Sequence, residues 1–266
     1  MEREYAEYLL KKTTEDYNLI AKDYSRTRAF IPGDIKALGN YTLEGERVLD
    51  SGCANGRLIE VLRDKKVDYF GVDISERLIE IAKEKYLYPV KSAEGGAKQF
   101  NRARVKFQVA DTLSLPFPDN YFDKIYSISV LHNIPSTEFQ LQYLKEARRV
   151  LKPGGLLILR VWDFWKRRGA SKLIFKYTLL KLIGKSQLDF KDVFVPWKDS
   201  RGKIVAQRYF HCFTKRELEN LVRESGLKIK ESWRGGKDPR TNIYLVGEEN
   251  KFSSSPFTAA RVVERR

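Results

Sequence analysis

The chain has 266 residues, 42% of them hydrophobic, which is enough for one α/β domain with a full core and too many for a minimal module. Its two cysteines lack paired spacing, which argues against a disulfide framework or a zinc site and favours a reducing cytoplasm. Fifty basic residues against 35 acidic ones give a net charge of +15, which favours a polyanionic partner unless the whole proteome is basic.

Neither membrane insertion nor secretion is indicated by the sequence. No apolar run approaches the roughly 20 residues that a transmembrane helix needs. The N-terminal residues are charged throughout, unlike those of a secretory signal. We therefore expect no transmembrane segment and a cytoplasmic location.

The first half of the chain alternates between helix and strand patterns. Residues 14–28 are typical of an amphipathic helix, with Tyr17 and Tyr24 on one face. Further helices are predicted at 57–64, from a Ser75 cap to Tyr86, and at 137–151. Strands are predicted at 47–50, 69–73, 105–109 and 122–129, and the polar stretch 89–104 is predicted to be a loop.

The second half completes the sheet after an interruption. The sequence Lys-Pro-Gly-Gly at 152–155 is a strong helix stop and precedes a fifth strand at 156–161. A helix at 215–224 leads to strands at 227–233 and 242–247, which have no helix between them and should pair antiparallel. This order predicts a doubly wound α/β fold with a mostly parallel sheet and an antiparallel last strand. We expect a single domain at 1–249, with an insertion at 163–205 and a flexible tail at 250–266.

The strongest local motif joins the first strand to the next helix, in the sequence Val48-Leu49-Asp50-Ser51-Gly52-Cys53-Ala54-Asn55-Gly56. An apolar strand ends in an acid and enters a turn of small residues, which let a ligand approach the backbone. Nucleotide-like ligands bind at such a turn in doubly wound sheets. The spacing Gly52-x-Ala54-x-Gly56 differs from that of NAD-binding turns and therefore disfavours NAD.

Two further acids follow the next two strands. Asp73 ends the second strand, where a carboxylate accepts hydrogen bonds from ribose hydroxyls. Asp111 follows the third strand, where it is able to meet an adenine amino group. Each acid alone is typical of a helix cap or the surface. Together with the small-residue turn, however, the three strand-end acids favour a nucleoside site.

This ordered series resembles the class I S-adenosylmethionine-dependent methyltransferases from about Tyr17 to Gly247. It continues through Leu115-Pro116-Phe117-Pro118-Asp119 and Leu151-Lys152-Pro153-Gly154-Gly155. The resemblance implies S-adenosylmethionine as cofactor and no metal. The residues that it places at the cofactor are Asp50, Gly52, Cys53, Ala54, Asn55, Gly56, Asp73, Ile74, Asp111, Thr112, Leu113 and Ser127. The family usually has glycine where this chain has Ala54.

The flanking motifs resemble a narrower group, the tRNA wobble-uridine carboxymethyl methyltransferases, that is, the tRNA methyltransferase 9-like family. The motifs are Tyr17-Asn18-x-Ile20-Ala21, Ser127-Ile128-Ser129-Val130-Leu131-His132, Phe194-Val195-Pro196-Trp197 and Arg208-Tyr209-Phe210-His211. The resemblance implies methylation of the carboxylate of 5-carboxymethyluridine in the tRNA anticodon, often with a small zinc-binding activator subunit. The chain departs from the family at Asn133, usually a second histidine, and at Phe210, usually tyrosine.

The resemblance also places four residues at the reaction. We expect His132 to face the reacting methyl group, and Arg208, Tyr209 and His211 to lie on the substrate side. Each residue has a plainer alternative: a helix cap for His132, a core position for Tyr209, and surface positions for Arg208 and His211. Trp197 either folds over the pocket or anchors the insertion.

The segment 164–188 contains many lysines and arginines and no acid. Lysines interleaved with apolar residues suggest an amphipathic helix, docked on the body and cationic on its outer face. Three interpretations stay open: a surface that tracks RNA phosphates, which the net charge favours, a helix on an anionic membrane, or a merely solvated face.

Three functions are consistent with the sequence. The first is a methyltransferase of the tRNA wobble uridine. The second is a methyltransferase of a small hydrophobic or carboxylate metabolite, such as a quinone or lipid precursor. The third is a non-catalytic RNA-binding protein with the same fold, which Ala54 makes conceivable.

Overall fold

The computed structural model describes residues 1–88, 104–236 and 241–250. Nine strands occur in this part of the chain: β1 Arg47–Ser51, β2 Asp68–Asp73, β3 Val105–Val109, β4 Phe122–Ile128, β5 Leu151–Trp162, β6 Asp192–Lys198, β7 Ile204–His211, β8 Lys228–Gly235 and β9 Asn242–Glu248. The helices are α1 Arg3–Thr27, α2 Gly33–Leu38, α3 Ile59–Leu62, α4 Glu76–Tyr86, α5 Thr137–Val150, α6 Ala170–Leu182 and α7 Lys215–Glu224.

Seven of the strands form one sheet in the order β3-β2-β1-β4-β5-β9-β8. Strands β1 to β5 run parallel, whereas β9 pairs antiparallel with both β5 and β8. The predicted doubly wound fold with an antiparallel last strand is therefore confirmed. The strand order reverses between β1 and β4, and ligands of such sheets bind at this switch point.

Apolar side chains leave both faces of the sheet in alternation, as a strand period of two requires. Leu157 and Leu159 join a cluster with α5 and α7, while Ile158 joins a second cluster with α2, α3 and α4 on the opposite face. The sheet is thus covered on both sides, which explains the largely apolar sequences of its central strands.

Several element bounds differ from the sequence-based prediction. Helix α1 begins at Arg3, well before residue 14, and the predicted helix at 57–64 is reduced to α3 and a 3-10 turn. The segment 152–155 belongs to β5, because Leu151 already pairs with Phe122 and the Gly154 N–H donates to the Glu249 carbonyl. The predicted loop at 89–104 and tail at 250–266 lie outside the described residues, except for Arg104 and Asn250.

The segment 163–205 contains more structure than the single predicted helix. After α6 the chain forms a hairpin of β6 and β7, which extends to His211. Of the residues in α6, only Ala170 and Ile174 are buried. The helix is docked on the body as expected, through Ala170, Leu173 and Ile174. Its outer face is not only cationic, however, because Phe175, Leu179 and Leu182 are exposed there.

Candidate active site

A cavity of about 700 Å³, including the space at its mouth, lies at the switch point of the sheet. Backbone turns from β1, β2, β3 and β4 form its floor, and α1 lies across it. The lining residues are Leu10, Thr13, Tyr17, Tyr24, Gly52, Ala54, Asp73, Ile74, Leu78, Asp111, Thr112, Leu113, Ile128, Ser129, Val130, Asn133 and Ile134.

The turn after β1 brings its backbone to the cavity through small residues. Gly52 has φ +77°, and a Cβ atom there would lie 2.4 Å from Val130 Cγ2, so that this position has room only for glycine. Ala54, the departure from the family pattern, also adopts a left-handed conformation, with φ +49°. Such a conformation costs alanine roughly 1–2 kcal/mol, which the surrounding turn has to offset.

Asp73 holds this turn in place. Its Oδ2 accepts a hydrogen bond from the Ala54 N–H at 2.8 Å, and its Oδ1 accepts one from the Ser75 N–H at 2.9 Å. Burial raises the pKa of Asp73, while these backbone donors oppose that effect. The carboxylate thus lines the cavity with both oxygens oriented and with lone pairs remaining for a ligand.

Asp111 lines the same cavity from the turn after β3. Its Oδ1 accepts a hydrogen bond from the Leu113 N–H at 2.8 Å, which fixes the local turn. Thr112 and Leu113 lie beside it, and Ile74 follows Asp73 at the end of β2. Of the twelve predicted cofactor residues, the structure therefore brings together Gly52, Ala54, Asp73, Ile74, Asp111, Thr112 and Leu113.

Asp50 does not join them, contrary to the expected three-acid cleft. Strand alternation places its side chain on the side of Tyr69, whose hydroxyl donates to Asp50 Oδ2 at 2.5 Å. Burial raises the pKa of Asp50 to about 7. The residue therefore lies behind the cavity wall, where it supports the turn from the protein interior.

Four other predicted cofactor residues also support the wall from behind. Cys53 is buried, and the Asn55 amide donates to Ser25 Oγ in α1 at 3.0 Å. A Cβ atom on Gly56 would lie 2.6 Å from the ring of Phe107. Ser127 accepts a hydrogen bond from the Tyr143 hydroxyl at 2.7 Å. None of these residues is among those that line the cavity.

Helix α1 forms the cover of the cavity. Leu10, Thr13, Tyr17 and Tyr24 line it, and Ser75 Oγ, which caps α4, donates to Asn18 of α1 at 2.8 Å. Leu10 and Thr13 were not among the predicted site residues, because the predicted helix began at residue 14. Their spacing of seven and four residues from Tyr17 is the helical signal that would have included them.

Asn133 lies at the cavity, where the resembled family usually has histidine. Its Oδ1 accepts a hydrogen bond from the Tyr17 hydroxyl at 3.2 Å, and its amide donates to the Ser129 and Val130 carbonyls. Burial raises the pKa of Tyr17 to about 12, although the neighbouring Arg208 lowers it. The Tyr17 hydroxyl therefore remains a neutral donor at physiological pH.

His132 is buried and does not line the cavity, so the expectation that it faces a reacting group is not met. Its Nδ1 accepts a hydrogen bond from the Trp162 N–H at 3.3 Å, and its ring stacks on Phe210 with centroids 5.1 Å apart. Burial, together with Arg167, Arg160 and other neighbouring cations, holds the pKa of His132 well below its usual range. The imidazole is therefore neutral and joins aromatic rings of β5 and β7.

Arg208 is also buried, at 6% exposure. The alternative that placed it at the surface is therefore wrong. Its guanidinium carbon lies 4.7 Å from the ring centre of Trp197 and 5.1 Å from that of Phe210. Within the described ranges it makes no ion pair and its Nε has no hydrogen-bond partner, although it opposes the burial that raises the pKa of the neighbouring Asp16 carboxyl group. It has the same effect on the pKa of Tyr17, which lines the cavity, but Arg208 itself is not among the lining residues.

Tyr209 and His211 take structural positions. Tyr209 packs with Leu9 and Leu188, which matches the core alternative. His211 Nδ1 lies 2.6 Å from Asp192 Oδ1, and its Nε2 lies 3.1 Å from Glu217 Oε1. These carboxylates raise the pKa of His211 to about 9 in spite of its burial. The surface position considered for His211 is therefore wrong, and it does not line the cavity.

Comparison with known proteins narrows the interpretation of this cavity. A family model described as a methyltransferase domain matches residues 49–159. The chain is 28% identical to the tRNA (carboxymethyluridine(34)-5-O)-methyltransferase of Schizosaccharomyces pombe, over 92% of this chain and 99% of that protein. It is 29% identical to the Arabidopsis thaliana protein of the same name, of which it spans only 35%.

Solved structures share the fold. A methyltransferase of Methanosarcina mazei described as S-adenosylmethionine-dependent aligns with a TM-score of 0.64 and 22% identity, covering 80% of this chain and 97% of that one. The methyltransferase in a complex with the Haloferax volcanii Trm112 activator aligns with a TM-score of 0.57 and 17% identity, covering 90% of this chain and 97% of that one.

The cavity is suited to the nucleoside part of S-adenosylmethionine. The small turn around Gly52 leaves its backbone open to a ligand, and the oriented carboxylate of Asp73 lies where ribose hydroxyls bind in such folds. Residues 49–159 therefore match a methyltransferase domain, and the fold and this cavity are those expected of an S-adenosylmethionine-dependent methyltransferase.

Proposed function

We propose that this enzyme methylates the carboxylate of 5-carboxymethyluridine at the wobble position of tRNA. The observation that carries the proposal is the buried guanidinium of Arg208, which neighbours Tyr17 of the cavity and makes no ion pair in the described ranges. A buried charge without a counterion is costly. An anionic acceptor that binds beside the cofactor would provide that counterion, and a carboxylate matches the fork of an arginine best.

The chain's own residues are suited to an acceptor that is already an anion. S-adenosylmethionine supplies an electrophilic methyl group when it is bound at the turn that follows β1. A carboxylate is ionised at neutral pH, so that no base has to remove a proton from it. This agrees with the neutral, buried His132. Arg208 and the Tyr17 hydroxyl would hold the carboxylate, and alignment of the two reactants supplies up to roughly 7–11 kcal/mol.

Two further observations support tRNA as the acceptor molecule. The net charge of +15 suits a polyanion, whose binding releases counterions. The S. pombe protein, which matches 92% of this chain, is named for the same activity.

We also propose that an activator subunit of the Trm112 kind binds this enzyme. The support is the fold shared with the H. volcanii methyltransferase that was solved with such an activator. Co-expression with that activator should raise the yield and the methyl-transfer rate of the enzyme. Equal yield and rate with and without the activator would reject this partner.

The decisive experiment is transfer of a radiolabelled methyl group to bulk tRNA, followed by digestion to nucleosides. We expect label in the methyl ester of 5-carboxymethyluridine, and its loss after mild alkali, which hydrolyses esters. The matched control is the same tRNA with an unmodified wobble uridine, which should take up no label. Label in extracted quinones or lipids instead of tRNA would replace this function by methylation of a small metabolite.

A further inference from the structure

Helix α6 is apolar around most of its circumference. It is more apolar than the other long helices of the described chain, and its apolar residues do not gather on one side. A helix of this kind is normally covered on all sides. Here Ala170 and Ile174 pack against β6 and β7, whereas the opposite side faces solvent.

The outer side of α6 carries a row of large apolar side chains. Phe175 is 69% exposed, Leu179 47%, Leu182 68% and Ile183, at the helix end, 53%. The spacing of four, seven and eight residues from Phe175 places them on one face, along about 12 Å of the helix. Scattered exposed apolar residues need no explanation, but a contiguous row of this kind marks an interaction surface.

Basic side chains border this row. Lys172 lies one turn before Phe175 on the same side of the helix, and Lys176 follows Phe175. Both are exposed, and neither forms an ion pair within the described part of the chain. The segment 164–188 contains no acid, so the surface has one sign of charge.

We propose that the outer face of α6 binds an anionic lipid surface. Phe175, Leu179, Leu182 and Ile183 enter the region between headgroups and acyl chains, while Lys172 and Lys176 extend to the lipid phosphates. Juxtaposed apolar and cationic side chains on one face are what such an interface accommodates. No helix within the described ranges is long and apolar enough to span a bilayer, so α6 lies along the surface.

Two other occupants explain the face less well. RNA would pair with Lys172 and Lys176, but Leu179, Leu182 and Ile183 offer no ring on which a base stacks and would remain in water. A second copy of this chain would place two cationic faces of a protein with net charge +15 against each other. A lipid surface satisfies both the apolar row and its lysines.

Vesicle co-sedimentation of the full chain tests the proposal. We expect binding to vesicles of phosphatidylcholine with about one third phosphatidylglycerol, weaker binding at high salt, and none to pure phosphatidylcholine. The double variant Leu179→Gln/Leu182→Gln should bind at least ten-fold more weakly. The matched control is Leu43→Gln, since Leu43 is also exposed, at 66%, but lies far from α6 in the sequence.

The lysines are tested separately by Lys172→Glu/Lys176→Glu, with Lys228→Glu on β8 as control. We expect the double variant to lose vesicle binding and to retain methyl transfer to tRNA. The proposal is overturned if the wild-type chain ignores anionic vesicles, or if the leucine variants bind them normally. It is also overturned if the lysine variants lose tRNA binding while vesicle binding persists, because the face then belongs to RNA. The vesicle-binding outcomes do not depend on the acceptor proposed above.

Discussion

The indole ring of Trp197 lies between Arg208 and the cover of the cavity. Its ring centre is 4.7 Å from the Arg208 guanidinium, and its Nε1 donates to Asp23 near the end of α1 at 2.9 Å. Arg28 stacks on Tyr24, which in turn contacts Trp197. The β6–β7 hairpin and α1 therefore position the same guanidinium, which explains how a buried cation is held without a carboxylate.

Replacement of Arg208 by methionine should separate catalysis from stability. We expect Arg208→Met to lower kcat/KM for tRNA at least 100-fold, about 2.7 kcal/mol, because the acceptor carboxylate loses its counterion. Removal of an unpaired buried charge should leave Tm unchanged or raise it. Affinity for S-adenosylhomocysteine, measured by calorimetry, should not change.

Arg216→Met is the control for Arg208→Met, because Arg216 is exposed on α7. Arg216→Met should leave kcat/KM for tRNA, Tm and the affinity for S-adenosylhomocysteine unchanged. If Arg208→Met lowers Tm by many degrees and abolishes cofactor binding, Arg208 is a structural residue and the acceptor site lies elsewhere.

Gly52 and Gly45 provide a matched test of the cofactor turn. Their φ values are +77° and +78°, but an added Cβ meets Val130 only at Gly52 and nothing within 4 Å at Gly45. Both alanine variants incur the left-handed penalty of roughly 1–2 kcal/mol. Only Gly52→Ala should also abolish cofactor binding. Equal loss of binding in both variants would show that backbone strain alone explains the effect.

Asp73→Asn tests the carboxylate at the end of β2. The amide retains the size of the side chain but replaces one acceptor by a donor facing the Ala54 or Ser75 N–H. We expect the affinity for S-adenosylhomocysteine to fall at least ten-fold in calorimetry. Asp64→Asn, at an exposed position, is the control. Unchanged affinity would exclude Asp73 from the ribose site.

The sheet was predictable because its signals are local. Apolar runs that end in Asp50 or Asp73, and the Ser75 cap that accepts the Leu78 N–H, are read from a few neighbouring residues. The direction of the Asp50 side chain was not predictable from the sequence. Whether it points into the cavity or into the protein interior depends on where Tyr69 lies in the neighbouring strand β2. Strand-end position alone therefore overestimated the set of residues that face the cavity.

The β6–β7 hairpin was missed although its turn carries a signal, since Asp199 Oδ1 accepts the Arg201 and Lys203 N–H groups and Gly202 has φ +81°. Pro196 lies within β6, and a proline argues against a strand in a sequence pattern. The motif around Arg208 and His211 suggested substrate contacts because it resembles the wobble-uridine methyltransferase family. The structure instead pairs His211 with acids, which a sequence without contacts cannot reveal. Likewise, the apolar residues of α6 indicated a helix but not which of its faces is covered.

His211 gives the pH dependence of stability a definite sign. Its pKa is raised from 6.5 to about 9 by Asp192 and Glu217, so the folded state binds its proton more tightly than the unfolded state. The resulting stabilisation, at most about 3 kcal/mol, is fully present below pH 6.5 and is lost as the pH rises through 9. We expect the free energy of unfolding in urea to fall between pH 6.5 and 9.5.

His211→Gln isolates this contribution, because the difference between wild type and variant removes other titrating groups. The variant should be less stable by several kcal/mol at pH 6.5, since Asp192 is left buried beside a neutral side chain, and the difference should shrink towards pH 10. His132, the other histidine, has its pKa lowered and therefore affects stability only below pH 6.5. A difference that stays constant from pH 6.5 to 10 would mean that His211 is neutral in the folded enzyme and that its two carboxylates are not its counterions.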